Sequence, residues 1–273
     1  MDRIRKALDL ARQDRARLVD GESGGPARTL ESVPAARRPG LIEYTKTQVY
    51  VPRPELLESH RIVNPSRTDP AAAAFRMLRT QVLQRMDEKG WRSLAVLSPN
   101  ARDGKTTTAI NLAISLAHDH RHTVLLVDCD LKQPSIAATL GLAPALGLNH
   151  VLSGEARVEQ CLYHPDGFDR LVILPAAGAL ANSSEALSGP RGRELVSELR
   201  DRYPERIVLF DLPPIMGADD ALAFLPLVDC GLMVVAEGST RREDLLRCME
   251  LVSKTPIVGT VLNRSTTVTS AYG

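Results

Sequence analysis

The sequence predicts an α/β domain built on a doubly wound, mostly parallel sheet, and three observations predict it. An apolar run, Ser93 to Ser98, leads through a tight loop ending Gly104-Lys105-Thr106 into a helix-prone stretch. Two further runs, Thr123-Val-Leu-Leu-Val-Asp128 and Arg206-Ile-Val-Leu-Phe-Asp211, each end in aspartate. Short runs of Val, Ile and Leu separated by helix-period stretches are the pattern of parallel strands buried on both faces.

The elements follow in order. Asp2 to about Leu18 reads as a short amphipathic helix, with Ile4, Leu8 and Ala11 on one side among arginines. It is suited to docking a partner or lying on an anionic membrane surface, and equally to standing as a solvated helix, since its apolar area is small. Residues 19–69 carry Gly24-Gly25-Pro26, Pro34 to Gly40 and isolated prolines, a linker composition. The core domain is expected over 70–265 and a polar tail over 266–273. Within the core, strands are predicted at 93–98, 123–128, 170–174, 206–210, 230–235 and 256–262. Helices are predicted over 71–85, 105–118, about 133–140, 190–202, 218–226 and 241–253. The Gly- and Pro-rich stretches 141–149 and 176–190 read as loops.

The Ser93–Ala113 segment has the layout of a phosphate-binding loop. Backbone N–H groups at a helix N-terminus carry roughly half a positive charge, so polyphosphate can sit there. Lys105 would neutralise it further, and the Thr106 hydroxyl would face Mg²⁺. The strict pattern asks for glycine five positions before Gly104, where this chain has Pro99. In parallel sheets the ligand lies beyond the carboxyl ends of the strands, so Asp128, Asp130 and Asp211 would converge on the phosphates. Carboxylates suit Mg²⁺, which takes one or two protein oxygens besides phosphate and water. Taken singly, each of these aspartates could equally be a helix cap or a turn residue.

With these motifs in this order, residues 70–265 resemble the bacterial tyrosine autokinases of capsule and exopolysaccharide synthesis. That family lies among the P-loop NTPases of the MinD/ParA (SIMIBI) type. Ser98 to Thr108 resembles its Walker A loop, Val124 to Pro134 its second aspartate motif, and Ile207 to Pro214 its Walker B strand. Asn182 to Leu187 resembles the stretch before the helix that leads into Walker B, and Val258 to Arg264 a final strand.

The resemblance implies ATP and Mg²⁺ as cofactors. Asp103, Gly104, Lys105, Thr106, Thr107 and Lys132 would bind the nucleotide, with Lys105 on the β- and γ-phosphates. Thr106, Asp128 and Asp211 would serve the metal, and Asp130 would assist there. Asp128 would orient or deprotonate the attacking hydroxyl, and Tyr272 would be the phosphoacceptor. The implied activity is ATP-dependent tyrosine autophosphorylation that regulates polysaccharide polymerisation or export. The implied partners are a transmembrane polysaccharide co-polymerase as activator, further copies of the chain, and a cognate phosphotyrosine phosphatase. A cytoplasmic chain held at the inner membrane by its partner fits that picture.

Several positions depart from the family pattern. Asn100 stands where the partitioning ATPases place a signature lysine, which favours the autokinase branch over a MinD/ParA-like switch. Lys132 replaces a common arginine and lacks its planar, bidentate fork. Ala101-Arg102 replaces the usual Pro-Gly, and Arg102 either reaches the phosphates or points to solvent. Ala73, Arg76 and Arg79 occupy the spacing of a subunit-contact motif that normally starts with glutamate, and the tail holds one tyrosine instead of several. Tyr44 and Tyr50, in the linker, are accessible second candidates; Tyr163 and Tyr203 read as residues of the folded domain. Two other readings stay open: an ATP-dependent switch without tyrosine kinase activity, and a regulatory subunit that binds ATP structurally.

Composition narrows the classes. A net charge of +1 and 4% aromatic residues supply no basic, aromatic-interleaved surface, so nucleic acid is not expected as a partner. No apolar run approaches the roughly twenty residues that span a bilayer. Four scattered cysteines, without metal-ligand spacing, read as buried free thiols in a reducing compartment.

Overall fold

The structure, a computed structural model, describes residues 47–63 and 70–265. Its frame is one eight-stranded sheet: β1 (Gln48–Tyr50), β2 (Ser93–Leu97), β3 (Thr123–Asp128), β4 (Tyr163–Pro165), β5 (Leu171–Leu174), β6 (Arg206–Asp211), β7 (Cys230–Ala236) and β8 (Ile257–Asn263), in the spatial order β1-β4-β5-β3-β6-β2-β7-β8. Every neighbouring pair is parallel except β4 and β5. The mostly parallel, doubly wound sheet expected from the three apolar runs is therefore present.

Strict alternation along the central strands sends side chains into two separate cores. Leu125 and Val127 of β3 face one, Val124 and Leu126 the other; Val208 and Phe210 of β6 divide from Ile207 and Leu209 in the same way. The second core is roofed by α2 (Pro70–Lys89), α3 (Lys105–Ala117) and α4 (Ile136–Leu140), through residues such as Met86, Leu112 and Ile136. The first is roofed by α5 (Leu148–Ser153), α6 (Ser183–Ser188), α7 (Pro190–Asp201), α8 (Asp220–Phe224) and α9 (Arg242–Leu251). Burying each Leu, Ile or Phe side chain contributes about 1.5–3 kcal/mol, so the two layers hold the sheet rigid beneath the loops at its carboxyl edge. All four cysteines are buried and free.

The linker expectation over 19–69 needs correction where the structure describes it. Gln48–Tyr50 adds β1 to the sheet beside β4, and α1 (Pro54–Ser59) follows. Buried Asn111 of α3 then clamps the chain: its side-chain oxygen accepts the Val63 N–H at 2.8 Å and its amide donates to the Arg61 carbonyl at 3.0 Å, while Ile62 enters the core. Proline-rich composition signals extended backbone but cannot reveal a partner 48 residues away. The Tyr50 hydroxyl is likewise buried, and burial raises its pKa, so Tyr50 is not an accessible acceptor. The stretch read as loop at 176–190 holds α6, and the one at 141–149 runs into α5. The amphipathic helix at 2–18, Tyr44 and the tail with Tyr272 lie outside the described residues.

Candidate active site

Gly104 opens the site. It adopts φ +89°, a left-handed conformation that glycine enters without steric cost, and turns the chain from the loop into α3. Among the described residues no side chain caps that helix start. The N–H groups of its first turn therefore have no partner within the helix. A cleft of about 620 Å³ lies in front of them, lined by Gly104, Lys105, Thr106, Thr107, Asp130 and Lys132 among others.

Sheet register sets two buried aspartates behind this cleft. Asp211 at the end of β6 pairs with Asp128 at the end of β3 on one side and with Val96 of β2 on the other. Lys105 Nζ lies 2.6 Å from Asp211 Oδ1, and the Thr106 hydroxyl donates to Asp211 Oδ2 at 2.7 Å. The Ser135 hydroxyl adds a contact to Thr106 Oγ1 at 3.3 Å.

Asp128 is held from the far side of its loop. Its Oδ2 accepts the backbone N–H groups of Ser135 (3.1 Å) and Ile136 (3.0 Å), so it caps α4 from eight residues upstream. Burial, followed by the Asp211 charge, pushes its carboxyl up to about 7, against the pull of those N–H groups and of Lys105. Asp130 is also raised, chiefly by burial. A carboxyl poised near neutrality is suited to accepting a proton.

The remaining expected residues fall in two groups. Thr107 and Lys132 line the cleft, but Lys132 is engaged: its ammonium lies 2.6 Å from Asp220 Oδ2, and that hydrogen bond raises its pKa. Asp220 is buried and also accepts a short hydrogen bond from Ser183, while Ser184 bonds Asp219. Asp103 does not face the cleft with its side chain. Its buried carboxylate accepts the Asn100 N–H at 2.9 Å and braces the loop from within.

Sequence reading did not single out Ser135, Asp220 or Asp244, whose carboxylate accepts from the Asn100 amide at 3.2 Å. Of these only Ser135 carries a local signal, a serine just before a helical stretch. Arg79, at the spacing of the subunit-contact motif, donates to the Ser115 carbonyl at 3.0 Å and ties α2 to α3 within the chain.

An uncapped helix start, Lys105, Thr106 and Asp130 line the cleft, and the fully buried carboxylates of Asp211 and Asp128 stand behind them, a set that suits a polyphosphate accompanied by a divalent cation. The oxygen donors Thr106, Asp211 and Asp128 match Mg²⁺, which needs few protein ligands. The fold and site define a P-loop NTPase of the MinD and ParA type.

The family described as "AAA domain" matches residues 95–231, half of the chain. Tyrosine-protein kinase YwqD of Bacillus subtilis (strain 168) is 29% identical over 191 residues, covering 69% of this chain and 79% of YwqD. Succinoglycan biosynthesis transport protein ExoP of Rhizobium meliloti (strain 1021) is 32% identical over 211 residues, 75% of this chain and 26% of that longer protein. The solved kinase domain of VpsO is 31% identical, with a TM-score of 0.64 over 72% of this chain and 96% of that domain. The chain belongs to this AAA-domain family and, within it, to the bacterial tyrosine-protein kinases.

Proposed function

We propose that this chain transfers the γ-phosphoryl group of Mg-ATP to protein tyrosine, its own Tyr272 first, and thereby regulates export or chain length of an exopolysaccharide. The observation that carries the reading is the convergence of Lys105, Thr106 and Asp211 within 2.7 Å contacts beside the raised carboxyl of Asp128. Kinship with YwqD, named a tyrosine-protein kinase, and with ExoP, named for succinoglycan transport, supports the substrate and the process.

The uncapped N–H groups at Gly104 to Thr107 bind the phosphates, and Lys105 moves its ammonium from Asp211 to the β- and γ-phosphates. Thr106 and Asp211 would hold Mg²⁺, with Asp128 beside them and Asp130 assisting. The ion, when bound, withdraws charge from the phosphate oxygens. Asp128 takes the proton of the tyrosine hydroxyl as its oxygen bonds to the γ-phosphorus. The bond from that phosphorus to the bridging oxygen breaks, and ADP leaves. Positioning and charge neutralisation supply most of the acceleration in such transfers, which one lysine, one cation and aspartates can provide.

Among the described residues no helix is long and apolar enough to cross a membrane. The reading includes a transmembrane co-polymerase whose cytoplasmic tail activates the kinase and holds it at the inner membrane. Self-association of the chain and a cognate phosphatase that resets the phosphotyrosine complete it. Peptide mass spectrometry after incubation with Mg-ATP and the partner tail tests the reading. Phosphate on Tyr272 that is lost with Lys105→Met and with Tyr272→Phe is expected. Nucleotide turnover without phosphotyrosine would move the chain to a MinD/ParA-like switch.

A further inference from the structure

The last residue of β8 and the residue after it reach the phosphate loop, and Arg264 also lines the cleft. The Asn263 amide donates to the Asp103 carbonyl at 2.9 Å, and the Arg264 guanidinium donates to the Arg102 carbonyl in a short hydrogen bond. Two successive carbonyls of the loop are thus held by two successive residues of another element.

A trans peptide points its C=O and the following N–H in opposite directions. Fixing the Asp103 carbonyl on Asn263 therefore also fixes the direction of the Gly104 N–H, and Gly104 lines the cleft. Fixing the Arg102 carbonyl does the same for the Asp103 N–H. The clamp is itself anchored. The Asn263 carbonyl accepts the Glu237 N–H at 2.9 Å and its side-chain oxygen accepts the Arg264 N–H at 2.9 Å, so the amide can present only its donor face to the loop. Arg102 and Arg264 both sit at positive φ, 65° and 59°, a conformation uncommon outside glycine that marks an over-determined local geometry. A Cβ at Gly104 would stand 1.9 Å from Asn263 Nδ2, so the approach leaves no slack.

We propose that Asn263 and Arg264 are positioning residues that preset the phosphate-binding N–H groups of the loop, and so set the chain's affinity for the nucleotide's phosphates. This rests on the nucleotide-binding reading above. An unclamped loop would have to be ordered by the ligand itself, at the ligand's cost in affinity.

The test uses the full chain, titrated with a fluorescent ATP analogue and Mg²⁺, together with steady-state KM and kcat for ATP and thermal unfolding. Asn263→Ala and Arg264→Ala are each expected to weaken binding and raise KM about tenfold, the equivalent of one hydrogen bond of roughly 1.4 kcal/mol. Turnover at saturation should change less than KM, and Arg264→Lys, which keeps a donor, should recover part of the loss. KM within twofold of wild type in both alanine variants, or a loss in kcat alone, would overturn the clamp. A wild-type chain that binds no nucleotide would instead overturn the functional reading on which it rests.

Discussion

The Lys105 ammonium lies 2.6 Å from a carboxylate oxygen of Asp211, and the two side chains are only 8% and 0% exposed. Each charge is tolerable in that interior because the other is there. Removing one partner of such a pair strands the other, at a cost of about 3–5 kcal/mol. Lys105→Met is therefore expected to abolish turnover and also to lower unfolding stability in urea. Lys105→Met combined with Asp211→Asn should recover most of the stability and none of the turnover. Equal stability of the single and double variants would show that the pair is not coupled as the geometry requires.

Asp128 makes stability depend on pH in a definite direction. Its carboxyl rises from 3.8 to about 7 on folding, through burial and the Asp211 charge. Between those values the folded chain keeps a proton that the unfolded chain has released, so this contribution is full below about pH 4 and is lost as pH rises through about 7. Urea unfolding near pH 5 and pH 7.5 should show wild type losing stability relative to Asp128→Asn. Parallel behaviour of the two proteins would refute the shift.

Gly104→Ala attacks geometry instead of charge. The new methyl would meet Asn263 Nδ2 at 1.9 Å, from a backbone at φ +89°. The left-handed conformation alone costs a non-glycine residue roughly 1–2 kcal/mol. Urea unfolding should register at least that loss, and the loop must shift, so titration with an ATP analogue should show a larger drop in affinity. Unchanged affinity would mean that the loop's conformation is not what binds phosphate.

Ser183 and Lys132 share the buried carboxylate of Asp220, from α6 and from the loop after Asp128 respectively. Burial opposes ionisation of Asp220, yet the hydrogen bonds from Lys132 and Ser183 outweigh it and hold its pKa below the usual value. Ser183→Ala is expected to cost about 1 kcal/mol by thermal or urea unfolding, the net worth of one buried hydrogen bond. Asp220→Ala should cost more, because it leaves the Ser183 hydroxyl buried without its acceptor. A silent Asp220→Ala would remove the junction between these three segments.

Much of the fold was legible from periodicity alone. The strands at 123–128 and 206–211 announce themselves as apolar runs, because a parallel strand covered on both faces has no solvated side. Gly104-Lys105-Thr106 was equally legible, since a glycine turn before a helix is a local device. Elements held by distant partners were not. Gln48–Tyr50 is a strand because β4 lies beside it, and residues 61–63 are held by Asn111 and by the core that receives Ile62. The six-residue helix at Ser183–Ser188 is too short to show a period.

The division at the site follows the same physics. Which residues are chemically able to bind phosphate and a divalent cation was determined by the sequence: Lys105, Thr106, Asp128, Asp130 and Asp211 bring the charge and oxygen donors that such binding needs. Tertiary structure decided how they are paired and poised. Register put Asp128 and Asp211 side by side, raising one carboxyl while Lys105 holds the other, and long-range packing turned Asp103 inward, tied Lys132 to Asp220 and set Asn263 against the loop. A side chain's donors and charge are properties of the residue, whereas its pKa, burial and partner are properties of what long-range packing brings within about 3 Å of it.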